Sequence, residues 1–198
     1  MLDEPFSAVD RMTREPLKEE IATLHRGLDI PMLLVTHDLE EALSLADRIC
    51  VLHAGTTLQI GTPDEVRLRP MSALVARLMG QVNLFEVAVL PGNRIRWGNG
   101  ELRVAAMQSC SPGPRVTALI PPDAIAIAGT ETTATNVLKG IVTELKALGD
   151  TTALTIVVDG QRLRTRITAR EAASRSLHVG DALSVEVDPA GIHLMREN

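Results

Sequence analysis

Met1-Leu2-Asp3-Glu4-Pro5-Phe6-Ser7-Ala8-Val9-Asp10 opens the chain, and how this stretch is read decides the fold. Two adjacent carboxylates leave an apolar start and run into a proline. An acidic side chain at the end of a strand can help hold the magnesium that bridges nucleotide phosphates. A second carboxylate beside it can polarise an attacking water within hydrogen-bond reach. An acid pair before proline also serves simply to begin a turn or a helix, so the stretch alone leaves both readings open.

The next informative segment is Pro31-Met32-Leu33-Leu34-Val35-Thr36-His37-Asp38. The short apolar run predicts a buried strand. It delivers His37 and Asp38 at its end, ahead of an amphipathic helix over 38–46. The end of a parallel strand that leads into a helix is where α/β proteins place chemistry. A helix N-terminal residue bonded to backbone is the plainer reading of His37.

Taken in order, Asp3-Glu4-Pro5, Ser7-Ala8-Val9-Asp10 and Thr36-His37-Asp38 resemble the Walker B, D-loop and H-loop of the ATP-binding subunits of ABC transporters. The resemblance covers roughly residues 1–80. It implies that Asp3 holds magnesium through water, that Glu4 is the general base and that His37 contacts the γ-phosphate of ATP. Ser7 to Asp10 would cross a dimer interface. The family also carries a Gly-rich phosphate loop ending in Gly-Lys-Ser/Thr, a glutamine loop and a Ser-Gly-Gly-Gln signature, none of which occurs in these residues. A backbone N–H cradle and its lysine are what seat the phosphates. The expectation is therefore the C-terminal portion of a longer ATPase, inactive alone.

Composition narrows the classes. The 198 residues suffice for one or two domains, and the formal charge of -5 argues against a general nucleic-acid binder. Aromatics make up 2%, which disfavours base stacking, while the 45% hydrophobic fraction supports ordinary cores. Cys50, in the apolar run 49–52, reads as a small buried hydrophobe, and Cys110 lies in a Ser/Pro/Gly loop. Two such cysteines suggest neither a disulfide frame nor a Cys-based metal site.

Leu17, Ile21, Leu24 and Leu28 recur at helical spacing within 11–28, with Pro16 suited to a first turn and Glu15, Lys18, Glu19 and Glu20 on a solvated face. His25 reads as a surface residue. A hairpin is expected around Ala54-Gly55. Thr62-Pro63-Asp64-Glu65 reads as a helix start, and 72–79 as a short helix. Gly80-Gln81-Val82-Asn83 reads as the linker between domains 1–80 and 81–198. Beyond it the periodicity changes to ten short strand-like runs separated by turns such as Asn99-Gly100 and Asp159-Gly160, which suggests small antiparallel barrels. Thr168-Ala169-Arg170-Glu171 fits a capping box opening one short helix.

Asn136-Val137-Leu138-Lys139-Gly140, Arg166-Ile167-Thr168 and Leu177-His178-Val179-Gly180-Asp181 are similar to the oligonucleotide-fold-like TOBE domain, and within it to the Mop type of molybdate importer ATPases, with a Mop-like core over about 130–195. The resemblance implies a fold of a partial α/β P-loop ATPase domain followed by an all-β OB-like barrel. It implies ATP and Mg2+ as cofactors, with molybdate or tungstate as a regulatory ligand. Implied partners are an ABC permease subunit, a second ATPase subunit and, indirectly, a periplasmic solute-binding protein, at the cytoplasmic face of the inner membrane. Sulfate, polyamine, sugar or iron importers share the first motifs. Thr133, Asn136 and Thr168 are the candidates for oxyanion contact. Thr135 stands where Mop proteins carry a cation and Asp188 where they carry a lysine, which favours a structural or dimerising barrel over oxyanion binding.

Overall fold

The computed structural model describes residues 1–28, 30–105, 115–129 and 132–196. The chain divides into two compact units, Met1–Arg69 and Pro70–Asn198. In the first, β1 (Leu2–Asp3) pairs in parallel with β2 (Leu34–Val35), flanked by α1 (Arg11–Leu28) and α2 (Leu39–Leu45). A hairpin of β3 (Ile49–His53) and β4 (Thr56–Gly61) turns at Ala54 and Gly55, both at positive φ, and α3 (Pro63–Leu68) follows. Thr62 caps α3 at the anticipated helix start, in a reciprocal box: its hydroxyl accepts from the Glu65 N–H, and the Glu65 carboxylate accepts from the Thr62 N–H.

The run 31–36 is not a buried strand: only Leu34–Val35 are strand, and Leu33 and Val35 are 59% and 44% exposed. Among the described residues the parallel sheet is limited to this two-residue pair. Helix α1 begins at Arg11 and holds Pro16 in its interior, because Asp10 already caps the preceding turn. Lys18 is buried rather than solvated, and its ammonium donates to Glu15 at 2.8 Å. That contact and its charge raise the lysine's pKa. Cys50 is exposed, because the alternation of β3 turns Ile49 and Val51 inward and the cysteine outward. Cys110 lies outside the described residues.

The second unit takes in α4 (Ala73–Leu78), whose Ala76 packs with Leu84, Leu119 and Met195. Among the described residues ten strands follow, interrupted by one helix and two 3-10 turns. They are β5 (Leu84–Leu90), β6 (Arg94–Trp97), β7 (Gly100–Arg103), β8 (Arg115–Leu119), β9 (Ile125–Ile127), β10 (Val137–Leu148), β11 (Thr151–Val158), β12 (Gln161–Thr168), β13 (Ala182–Val187) and β14 (His193–Met195). Helix α5 spans Ala169–Ser174, and the 3-10 turns are Pro122–Ala124 and Pro189–Gly191.

The strands form two five-stranded sheets of one topology, β14-β8-β5-β6-β7 and β9-β13-β10-β11-β12. In each, four consecutive strands of one half are joined by the last strand of the other half. The exchange places the two 3-10 turns against each other. A Cβ on Gly191 would lie 2.3 Å from Ala124 Cβ, so only glycine permits this approach. One contiguous core runs through both sheets, from Phe85 and Trp97 through Val142 and Leu163 to Leu194. Trp97 meets Phe85 edge-to-face, with ring centroids 5.3 Å apart.

Two buried asparagines close the edges of the sheets in matching ways. Asn136, before β10, donates from Nδ2 to the carbonyls of Arg103 and Val187 and accepts at Oδ1 from the Arg103 N–H. Asn83, before β5, donates to the carbonyls of Arg164 and Ile120 and accepts from the Arg164 N–H. Each side-chain amide stands in for a neighbouring strand on the open edge of β7 or β12.

Candidate functional site

Parallel pairing sets the geometry of the candidate catalytic end. The Leu2 N–H donates to the Leu33 carbonyl and the Glu4 N–H to the Val35 carbonyl, both at 2.8 Å. The two chain ends that carry Asp3-Glu4 and Thr36-His37 therefore emerge side by side. Glu4 adopts a left-handed backbone (φ 46°), uncommon for a side-chain-bearing residue. The turn is held by Ser7, whose hydroxyl and N–H both donate to the Glu4 carbonyl, at 2.8 and 3.1 Å.

His37 Nδ1 lies 2.6 Å from Glu4 Oε1, joining groups 33 residues apart in sequence. The hydrogen bond to Glu4 and that carboxylate's charge raise the pKa of His37 above its ordinary value. Its two chain neighbours hold the imidazole there, one of them through Glu41, which the sequence did not single out. The Thr36 hydroxyl donates to the buried carboxylate of Glu41 at 2.6 Å and accepts from the Asp38 N–H. Asp38 caps α2 by accepting from the N–H groups of Glu40 and Glu41. His37 is thus pinned between two anchored residues while its ring stays 81% exposed.

Asp3 is exposed at the end of β1, opposite Val35. Among the described residues no group of three His, Cys, Asp or Glu side chains is placed to hold a metal. Magnesium held largely by phosphates and water needs only one or two protein carboxylates, and Asp3 beside Glu4 fits that donor set. Asp10 faces α1 instead: its carboxylate accepts from the N–H groups of Met12 and Thr13 and from the Thr13 hydroxyl, which lowers its pKa.

The oxyanion candidates are not brought together. Asn136 is buried with its amide engaged as described. Thr133 is exposed. Thr168 accepts from the Glu171 N–H as the cap of α5, and through Thr151 it lies level with Leu148 at the far end of β10 from Asn136. Asp188 turns its carboxylate onto its own 3-10 turn, accepting from the Ala190 N–H at 2.9 Å.

Residues 118–195 match the TOBE domain family. The spermidine/putrescine import ATP-binding protein PotA of Pseudomonas aeruginosa (strain UCBPP-PA14) is 33% identical over 99% of this chain and 56% of its own length. The chain is a homologue of the ATP-binding subunits of ABC importers. The sn-glycerol-3-phosphate import ATP-binding protein UgpC of Chromobacterium violaceum is 37% identical over 98% of the chain and 52% of the relative. For the sulfate/thiosulfate import protein CysA of Caulobacter vibrioides the figures are 35%, 87% and 48%. This importer-subunit homologue therefore spans about half the length of the curated relatives it matches. A crystal structure of the cytoplasmic molybdate-binding protein ModG is similar in fold, with a TM-score of 0.52 at 16% identity over 59% of this chain and 97% of ModG. No helix among the described residues is long and apolar enough to cross a membrane.

Proposed function

We propose that this homologue supplies the hydrolytic end of an ATP site in an ABC importer, at the cytoplasmic face of the membrane. The observation that carries the reading is the 2.6 Å contact between His37 and Glu4 at the ends of two parallel strands. Glu4 is the general base for the attacking water, and His37 orients that carboxylate and contacts the γ-phosphate of ATP. Asp3 would hold Mg2+ through water, and the ion would neutralise charge on the phosphates. Ser7 fixes the Glu4 turn, and the segment Ser7 to Asp10, with the Asp10 carboxylate engaged at the start of α1, meets a second ATPase subunit. A phosphate loop carried on another segment completes the site, and a permease, served by a solute-binding protein, couples turnover to uptake.

The exposed apolar positions around the short parallel pair support the reading. Parallel sheets are covered on both faces and need more than two strands. Leu33, Val35 and Met32 are the side chains that further strands and helices would cover. The domains proposed for function remain an ATPase part over roughly 1–80 and a barrel beyond it.

For the transported solute, the Asn136-Val137-Leu138 and Arg166-Ile167-Thr168 segments favour molybdate or tungstate, whereas the relatives above carry the names of polyamine, glycerol phosphate and sulfate import. The engaged amide of Asn136 and the cap formed by Thr168 favour a structural or dimerising barrel over a regulatory oxyanion site. The test is turnover. The chain alone should hydrolyse no ATP. Supplying a segment with the Gly-Lys-Ser/Thr loop should restore hydrolysis, and Glu4→Gln should then cut kcat by about 100- to 10,000-fold. Turnover unaffected by Glu4→Gln would remove Glu4 from the role.

A further inference from the structure

We propose that the outer face of β12 and β10, where Arg164, Arg166 and Lys146 surround Ala153, is a docking surface for an extended acidic segment of a partner protein. On β12 the burial alternates strictly: Leu163, Thr165 and Ile167 point into the barrel, while Arg162, Arg164 and Arg166 are exposed on the outer face. The register places Arg166 opposite Ala153 and Ala153 opposite Lys146. The next row runs Arg164, Thr155, Glu144.

Glu144 is already occupied. Its carboxylate accepts from the Thr155 hydroxyl at 3.2 Å and lies 3.9 Å from Arg162. Among the described residues Arg164, Arg166 and Lys146 then carry no ion pair. Three unneutralised cations on one sheet face stand out in a chain whose formal charge is -5. Exposed Ile141 and Leu148 flank them on the same strand, β10.

The geometry selects the occupant. Alternate residues on a strand are about 6.8 Å apart, so an extended partner with acids at every second position matches Arg164 and Arg166. Arg166 and Lys146 are two strands apart, about 10 Å, with only the Ala153 methyl between them, which leaves room for a carboxylate both can reach. Guanidinium groups take carboxylates in a bidentate fork, and exposed aliphatic side chains beside arginine suit a protein interface. The three cations are exposed on the outer face of the sheet, where a small oxyanion would not be desolvated. Adsorption to an anionic bilayer would be opposed by the net negative charge of the chain. Addition of a strand at the edge is blocked at its centre, because Asn83 already occupies the Arg164 N–H and carbonyl.

The test uses the full chain and fluorescein-labelled peptides: an eight-residue alternation of Glu and Thr, and the same composition with the four glutamates in one block. Fluorescence anisotropy at low salt should show tighter binding of the alternating peptide, weakened at least tenfold in Arg164→Gln/Arg166→Gln and unchanged in Arg115→Gln on β8. Circular dichroism and Trp97 emission should show both variants folded. Equal binding of the two peptides, or binding indifferent to the β12 variant, would overturn the proposal. So would uptake by phosphatidylserine vesicles without peptide binding, or a salt-sensitive dimer abolished by the β12 variant, which would make the occupant a bilayer or a second copy. ATP turnover plays no part in this readout, so its failure leaves the nucleotide reading untouched, and the converse holds.

Discussion

His37 and Glu4 show how much one side-chain contact can state. The imidazole sits 81% exposed, so its perturbation comes from the neighbouring carboxylate and not from burial. Its folded pKa is raised above the ordinary value of about 6.5. The sign follows: the attraction is fully present below that ordinary value and is lost as pH rises through the raised one. NMR titration of the His37 ring should therefore give a midpoint above the ordinary value, falling back to it in Glu4→Gln. A ring that titrates at or below the ordinary value in the unaltered chain would show that the pair does not form in solution.

At the scale of elements, the two asparagines decide which strand edges are open. Asn83 reads from sequence as part of a linker, and Asn136 as a weak oxyanion candidate. Both instead satisfy the main chain of an edge strand belonging to the other sheet. Replacing Asn136 with alanine leaves the buried Val187 carbonyl and the part-buried Arg103 N–H and carbonyl without this partner, and an unmet buried group costs about 1–3 kcal/mol. We expect Asn136→Ala to lower unfolding stability by about 3 kcal/mol, and Asn83→Ala by a similar amount, measured by urea denaturation followed through Trp97. A loss under about 0.5 kcal/mol in both would mean that the edges are satisfied some other way. The hairpin at Ala54-Gly55 and the helix start at Thr62 were legible in advance because their determinants lie within a few residues. Pro16 misled because helix starts are set by the capping side chain, here Asp10, and not by the nearest proline.

At the scale of the second unit, the exchange of last strands makes the two sheets depend on each other. β14 follows β13 in sequence but pairs with β8, in the sheet that carries Trp97. Ending the chain before Ile192 removes Ile192 and Leu194 from the shared core. Such a truncation should red-shift Trp97 emission and abolish cooperative unfolding of the whole unit, although the tryptophan lies far upstream in sequence. Unchanged Trp97 emission would show that the first sheet holds without its borrowed strand.

The sequence by itself determined the local signals: the order of the acidic, D-loop-like and His37 segments, the alternation that marks strands, the turns between them and two helix caps. Each is encoded within a span that one turn or one strand covers. Only the tertiary structure decided which distant groups meet, bringing His37 to Glu4, sending β9 and β14 into opposite sheets and turning Cys50 outward and Lys18 inward. Those outcomes depend on strand register and on which face finds an apolar neighbour, and neither quantity is carried by any single stretch of residues.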